Sequence, residues 1–281
     1  MNTDTVLVVG GGLVGLSTAM FLAWQGVRTI LVEKHPGSSP HPRAIGYTPR
    51  TLELFRAVGI DDRIPKTHGH TGPPRRVNVE SLAGKWHDEL LWTGPNDVVG
   101  KKVAQPPSAQ VEFSPSKGTA LAQDRLEPIL RQRAIELGAD VRLNTELIHF
   151  EETAEGNGIL VTLRNRIDRS ESTLNVAYLV AADGHKSPIR AKLGVGASGI
   201  GHIRTVRSIL FRAPQLEQYL EKGFTQFNIV QPDFEAFLTT YADGRWVLMR
   251  TMITNDDDDC NDFETNDDDT LRTMINQAIG R

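Results

Sequence analysis

The sequence predicts an α/β protein in which a βαβ-based domain is joined to a β-rich lobe. Three observations predict it. A short β-branched run, Thr5 to Val9, passes through Gly10-Gly11-Gly12 into a helical stretch and then a second apolar run, Val27 to Glu33. Two later helices are punctuated at both ends by capping residues and glycines. After Gly138 the apolar period falls to two and stays mostly so to the acidic stretch near the end.

The elements follow in order. Thr5–Val9 has the continuous apolar character of a strand buried on both faces. Leu13, Leu16, Met20 and Ala23 fall on one face of a helix that Gly26 stops, and Val27–Glu33 is the next strand. Thr48 caps a helix with Pro49 in its first position, burying Leu52, Phe55 and Val58 before Gly59 ends it. Asp124 and Glu127 form a capping-box pattern ahead of Leu126, Ile129, Leu130, Ala134 and Leu137, with Gly138 as the stop. Residues 73–118, rich in Pro and Gly, form an excursion with strand-like pieces at Val77–Glu80 and around Trp86. Alternation then marks Val141/Leu143, Leu147–Glu151, Ile159/Val161/Leu163 after a Gly156-Asn157-Gly158 turn, and Val176–Ala182. Further strands are expected at Val206–Arg212, Phe224–Gln231, Glu235–Tyr241 and Trp246–Ile253, then a helix over Thr270–Ile279.

Bulk properties exclude several classes. A net charge of −4 gives no reason to expect nucleic acid or an anionic membrane as partner. The single cysteine, Cys260, leaves no internal disulfide. The start MNTDTVLVVGGG has no basic region, and its apolar run stops at glycines, so a cytoplasmic protein without signal peptide or membrane span is expected. The histidines His35, His41, His68, His70 and His87 match no metal-site spacing. Ser17 and Ser187 lack a nucleophile elbow. Asp256–Asp259 with Asp267–Asp269 lacks the glycine and terminal glutamate of a calcium loop, and reads as a solvated acidic segment. Phe227, Phe237, Tyr241 and Trp246 fit an aromatic pocket or a sheet core equally well.

The chemistry lies in the glycines and their surroundings. Gly10-x-Gly12-x-x-Gly15 sits between strand and helix, where a dinucleotide fingerprint belongs. The first glycine permits the tight turn, the second lets backbone approach a pyrophosphate, and the third lets helix pack on strand. The helix start, with Leu13 and Val14, offers N–H groups and the positive end of its dipole to phosphates. Glu33, followed by Lys34, ends the second strand 23 residues after Gly10. Its carboxylate suits the two hydroxyls of an adenosine ribose and would repel a 2′-phosphate, so FAD or NAD is expected over NADP as the bound dinucleotide.

Three segments, VLVVGGGLVGLSTAMFLAWQGVRTILVEK, HPRAIGYTPRTLELFRAVGI (41–60) and YLVAADGHKSPIRAKLG (178–194), together resemble the flavin monooxygenases that hydroxylate phenols and aromatic polyketides, the para-hydroxybenzoate hydroxylase superfamily. The third segment matches the family's D-G-x-x-S-x-x-R motif as Asp183, Gly184, Ser187 and Arg190. The resemblance implies a Rossmann-like FAD-binding domain with a β-rich substrate lobe. It covers the first 200 residues well and the rest loosely. It implies that Arg43 lies near the FAD pyrophosphate, where its fork can bond two phosphate oxygens. It implies that Gln123, or its neighbour Arg125, lies near the flavin. It implies that Asp183 and Gly184 touch FAD, with Arg190 part of the same motif. For Asp183 the other reading is a tight turn with a capping role.

The implied activity is hydroxylation of a small phenolic or polyketide-derived aromatic substrate, in secondary metabolism or aromatic catabolism. NADPH or NADH would be a transient co-substrate, and dioxygen would react through a flavin hydroperoxide. The resemblance assigns residues 1–72 and 119–200 to the FAD-binding domain, and 73–118 and 201–281 to the substrate lobe. The family's later Gly-Asp motif is not matched after Arg212, since Asp243-Gly244 runs in the reverse order inside an expected hairpin. The sequence is therefore expected to be the amino-terminal portion of a longer enzyme, with the C-terminal part missing. Another flavoenzyme on the same scaffold (oxidase, halogenase or reductase) and a non-catalytic FAD-binding protein stay open as alternatives. No catalytic residue, metal site or oligomeric state is assigned.

Overall fold

The structure, a computed structural model, describes residues 4–65, 74–90, 114–116, 118–241, 243–252 and 267–281. His68, His70, Asp256–Asp259, Cys260 and much of the 73–118 excursion lie outside the described residues. In chain order the elements begin with β1 (Val6–Val9), α1 (Leu13–Trp24), β2 (Thr29–Val32), β3 (Gly46–Tyr47) and α2 (Pro49–Ala57). Strands β4 (Arg76–Val79) and β5 (Trp86–Leu90) follow. Then come β6 (Thr119–Ala120), α3 (Gln123–Glu136), β7 (Asp140–Arg142), β8 (Thr145–Glu152), β9 (Ile159–Asn165), β10 (Glu171–Val176), β11 (Tyr178–Ala181) and α4 (Pro188–Lys192). The last are β12 (Thr205–Arg212), β13 (Gln226–Gln231), β14 (Phe234–Thr240), β15 (Arg245–Met252) and α5 (Asp268–Ile279). They fall into two compact units, residues 1–68 with 113–197 and residues 69–112 with 198–281.

The first unit is built on a four-stranded parallel sheet in the order β11-β1-β2-β7. Side chains alternate across a strand, so β1 serves two cores at once. Val6 and Val8 pack with Leu16, Met20, Leu126 and Leu130 of α1 and α3. Leu7 and Val32 pack on the opposite face against Val161, Leu163 and Val176 of the antiparallel sheet β10-β9-β8. The expected strand, buried on both faces, is what forms. Gly26, Gly59 and Gly138 all adopt positive φ just past the helices they terminate. Thr48 caps α2 as expected, its side chain accepting from the Thr51 N–H at 3.4 Å. Thr48→Ala is expected to lower the stability of this unit by about 1 kcal/mol in urea unfolding.

Three expectations are corrected. The capping box at Asp124 and Glu127 does not form: α3 starts at Gln123 with Ala122 as an N-cap that makes no side-chain bond. The cause is a ladder that holds the preceding chain extended. Its pairs Gly46↔Ala120 and Tyr47↔Thr119 continue through Leu121 N–H to Ile45 O and Gln123 N–H to Ala44 O. The expected strand Val176–Ala182 is two strands in two sheets, since β10 ends at Val176 and β11 begins at Tyr178. The last helix starts at Asp268, where Asp267 caps it and Asp268 and Asp269 complement its dipole.

The second unit is a six-stranded sheet, β12-β15-β14-β13-β4-β5, antiparallel except between β13 and β4. One face carries Val77, Val79, Ile209, Phe227, Ile229, Leu238, Trp246 and Leu248 into a core closed by Ala278 and Ile279 of α5. Leu216, from a 3-10 helix at Pro214–Lys222 that the sequence did not suggest, joins them. Two backbone bonds, from Leu82 N–H to Ala278 O (3.0 Å) and from Ala83 N–H to Ile279 O (2.9 Å), tie the β4–β5 turn to the end of α5. Asp243-Gly244 lies in the β14–β15 turn, as expected.

Candidate functional site

Three sequence segments meet at the carboxyl ends of β11, β1 and β2. The chain leaves β1 for β2 on one side and returns as β11 on the other, a topological switch point at which open α/β sheets bind ligands. Gly10 N–H donates to Val32 O at 2.8 Å, and Ala182 N–H donates to Val9 O at 2.8 Å, so the glycine turn is fastened to both neighbours. Gly10 has φ +111°, and a Cβ there would stand 2.3 Å from Ala182 O. A Cβ on Gly15 would stand 1.8 Å from Gly10 O, which is the close helix–strand contact the fingerprint requires. Gly12 differs: its nearest neighbour would be Glu127 Oε1 at 3.9 Å, leaving open space over the start of α1. Gly12 is the N-cap of α1, no side chain caps it, and no acid occupies the first turn. Leu13 is half-buried and Val14 exposed in that turn.

Glu33 follows β2 and is anchored by the turn itself. Its Oε2 accepts from Gly11 N–H at 2.6 Å, while Oε1 accepts from His35 N–H at 2.8 Å and contacts His35 Nδ1 at 2.7 Å. A carboxylate has about four acceptor positions, so three are engaged. A ribose hydroxyl would take the fourth, or displace the exposed His35 ring. Lys34, beside it, is exposed. Gly11 was not singled out in the sequence, yet a Cβ there would lie 2.7 Å from Glu33 Cβ. Its signal was its place in the middle of three consecutive glycines.

Asp183 and Gly184 follow β11 immediately beside Gly10. Gly184 takes φ +91°, the tight turn weighed for this motif. Asp183 Oδ2 accepts from Ile189 N–H at 3.2 Å, and Ser187 Oγ accepts from Arg190 N–H at 3.0 Å, so both residues cap α4. The Arg190 side chain is exposed.

Arg43 is exposed, and its segment is tied to the start of α3. Gln123 Oε1 accepts from the N–H groups of Arg43 and Ala44, each at 3.3 Å. Gln123 Nε2 donates to Glu127 Oε1 at 2.7 Å, and Glu127 is almost wholly buried. Arg125 is exposed on the same first turn. Hydrogen bonds therefore run from Glu127 through Gln123 to the Arg43 backbone, and Glu127 Oε1 lies 3.9 Å from where a Cβ on Gly12 would stand. Glu127 was read as part of a cap, and its spacing of four from Gln123 was the overlooked signal.

Tyr47 packs near the same acids. Burial, then the charges of Glu127 and Asp124, push its hydroxyl up from 10 to about 12. The neutral phenol is thus favoured by folding, and that stability is present below pH 10 and lost as pH rises from 10 towards 12. Tyr47→Phe is expected to flatten the fall of the urea midpoint across that window; an equal fall in both proteins would show that Tyr47 is not its source. Tyr47 also lines a hollow of about 660 Å³ with Leu13, Val14, Phe21, Phe55 and Leu126. Its apolar walls do not suit phosphate.

In the second unit Phe227 and Trp246 are buried core, while Phe237 pairs with Asn228 on the other face. Among the described residues no group of three or more His, Cys, Asp or Glu is placed to hold a metal. None of the described helices is long and apolar enough to cross a membrane.

The FAD binding domain family matches residues 3–280. The chain belongs to that family. FAD is the cofactor of the family, and the site fits it: an uncapped helix start with open space over Gly12, and an acid anchored at the end of β2. The chain is 38% identical over 231 residues to an aklavinone 12-hydroxylase of Streptomyces purpurascens, covering 82% of this chain and 42% of the relative. It is 35% identical over 266 residues to a tetracenomycin A2 monooxygenase-dioxygenase of Streptomyces glaucescens, covering 88% and 46%. Among solved structures, an aklavinone-11 hydroxylase in complex with FAD and aklavinone superposes with a TM-score of 0.80 at 34% identity, over 100% of this chain and 51% of that one. The chain thus spans about half the length of these relatives.

Proposed function

We propose that this chain supplies the FAD-binding part of an NAD(P)H-consuming hydroxylase acting on a phenolic or polyketide-derived aromatic substrate. The observation that carries the reading is the convergence of Gly10–Gly15, Glu33 and Asp183-Gly184 at one sheet end, with the Arg43 segment hydrogen-bonded to Gln123 of α3. The hydroxylases among its relatives support the substrate class. When bound, FAD would supply the redox chemistry linking NADPH or NADH, dioxygen and an electron-rich ring.

The protein's part is to bind and to orient. Backbone N–H groups at Leu13 and Val14 would donate to the pyrophosphate, which Gly12 lets approach while Gly10 and Gly15 hold the turn and the helix–strand contact. Glu33 takes an adenosine ribose hydroxyl, with Lys34 alongside. Arg43 offers its guanidinium to phosphate oxygens. Gln123 and Arg125 flank the site from α3, and Asp183, Gly184 and Arg190 close it from β11 and α4. The second compact unit, residues 69–112 with 198–281, would be the substrate lobe, which the sequence reading sets at 73–118 and 201–281.

Purified chain should carry a yellow chromophore or bind added FAD, and NADPH oxidation should accelerate with a phenol. Label from oxygen-18 dioxygen in the product would separate a hydroxylase from an oxidase, halogenase or reductase. Failure of the chain to bind FAD would sink the site reading. FAD binding without ring-dependent NAD(P)H use would sink the hydroxylase reading for this chain.

A further inference from the structure

Glu127 is a buried carboxylate, 3% exposed, in a helix face otherwise filled by Leu126, Leu130 and Ala134. Burying a charge costs several kcal/mol unless it is bonded, and an apolar side chain would fill the same space without that cost. Its one-turn neighbour Gln123 donates to it at 2.7 Å. The other end of the same amide accepts from two consecutive backbone N–H groups, those of Arg43 and Ala44.

The chemistry of this relay is directional. Only the NH2 end of an amide can donate to a carboxylate, and only its oxygen can accept from N–H groups. Turned the other way, the Gln123 amide would face donor with donor and acceptor with acceptor. The acceptor oxygen that Glu127 presents therefore selects the orientation in which Gln123 clamps the Arg43 segment. Glu127 itself lies beside Gly12 at the start of α1, where the helix dipole favours negative charge.

We propose that Glu127 and Gln123 are positioning residues that fix the Arg43 segment, so that its guanidinium is presented to the cofactor pyrophosphate. The inference rests on the reading that Arg43 contacts FAD. Neither residue is assigned a contact with the reacting atoms.

The test uses the 281-residue chain and two readouts. Hydrogen exchange without cofactor should show the Arg43 and Ala44 amides exchanging faster in Gln123→Ala and Glu127→Leu. They should exchange as in wild type in Glu127→Gln, whose amide oxygen can still accept, and amides of β9 should be unchanged in all three. FAD titration by fluorescence should then show Arg43→Ala weakened by roughly 10- to 100-fold, the scale of one hydrogen-bonded charge. Gln123→Ala should weaken binding by about tenfold, the scale of one tenfold step in affinity. The Arg43→Ala/Gln123→Ala double variant should be no more than about twofold weaker than Arg43→Ala alone. Glu127→Gln should stay within about twofold of wild type.

Unchanged exchange in Glu127→Leu would overturn the proposal, and so would additive losses in the double variant, which would mean Gln123 meets the cofactor independently of Arg43. A chain that binds no FAD while showing the exchange pattern would overturn the cofactor reading instead. Should Glu127→Leu fail to fold, Gln123→Ala and the double-variant cycle decide the question.

Discussion

Gly10→Ala is expected to abolish FAD binding and to destabilise the first unit by about 2–5 kcal/mol, combining strain at positive φ with overpacking. The new methyl would meet Ala182 O at 2.3 Å, Ala182 C at 2.7 Å and Asp183 N at 3.1 Å. All three are backbone atoms held by the parallel β1–β11 ladder, in which Val9 pairs with Ala181. Relief requires either the turn to leave φ +111° or β11 to move away, and both displace Asp183 and Gly184 from the site. Gly12→Ala is the control: with no neighbour closer than 3.9 Å it should unfold in urea like wild type, yet its methyl occupies the space a pyrophosphate needs. Wild-type affinity in Gly12→Ala would refute the placement of the phosphates, and a wild-type urea midpoint in Gly10→Ala would refute the strain.

The contrast between those glycines shows where the sequence was informative. The βαβ start was legible because period, caps and glycines agree locally, and Glu33 stood at the expected distance. Gly11 was not, since its constraint comes from a side chain 22 residues away. Glu127 was misread because a capping box and an i,i+4 amide–carboxylate pair begin with nearly the same letters. The tertiary ladder that keeps residues 119–122 extended chose between them. Strands β10 and β11 read as one because only Ala177 separates them, and the sheet to which each belongs is decided by partners elsewhere in the chain.

Long-range pairing also set what was visible in the second unit. The parallel pair β13–β4 joins Gln226 to Arg76 and Ile229 to Val79, and no local pattern announces it. Its side chains register it all the same: Arg76 donates to Gln226 Oε1 at 3.1 Å, and Asn228 donates to Asn78 Oδ1 at 3.2 Å. These polar pairs share the sheet face opposite the apolar core. The excursion after residue 73 therefore contributes two edge-side strands to the sheet, completing a core whose other strands lie beyond residue 204.

Phe227→Ala should cost about 3–5 kcal/mol in the unfolding of the second unit, whereas Phe237→Ala should cost under about 1.5 kcal/mol. From the sequence the two phenylalanines were equivalent, ten residues apart in neighbouring strands. Register separates them. Phe227 pairs with Leu238 and Val77, is fully buried, and lies edge-on to Trp86 at 5.5 Å, with Trp246 at 6.2 Å. Its removal leaves a cavity in the core beneath a hydrogen-bonded sheet, which cannot collapse far to fill it. Phe237 pairs with Asn228, is partly exposed, and has the Arg76 guanidinium 5.4 Å from its ring. A cation–π contact at a partly exposed site contributes about 0.5–1 kcal/mol. Equal losses in the two variants would mean that the sheet has only one protected face in name, and that the β13–β14 register is wrong. A large loss confined to Phe227→Ala would fix that register, and with it which aromatic side chains build the core and which lie on the opposite face.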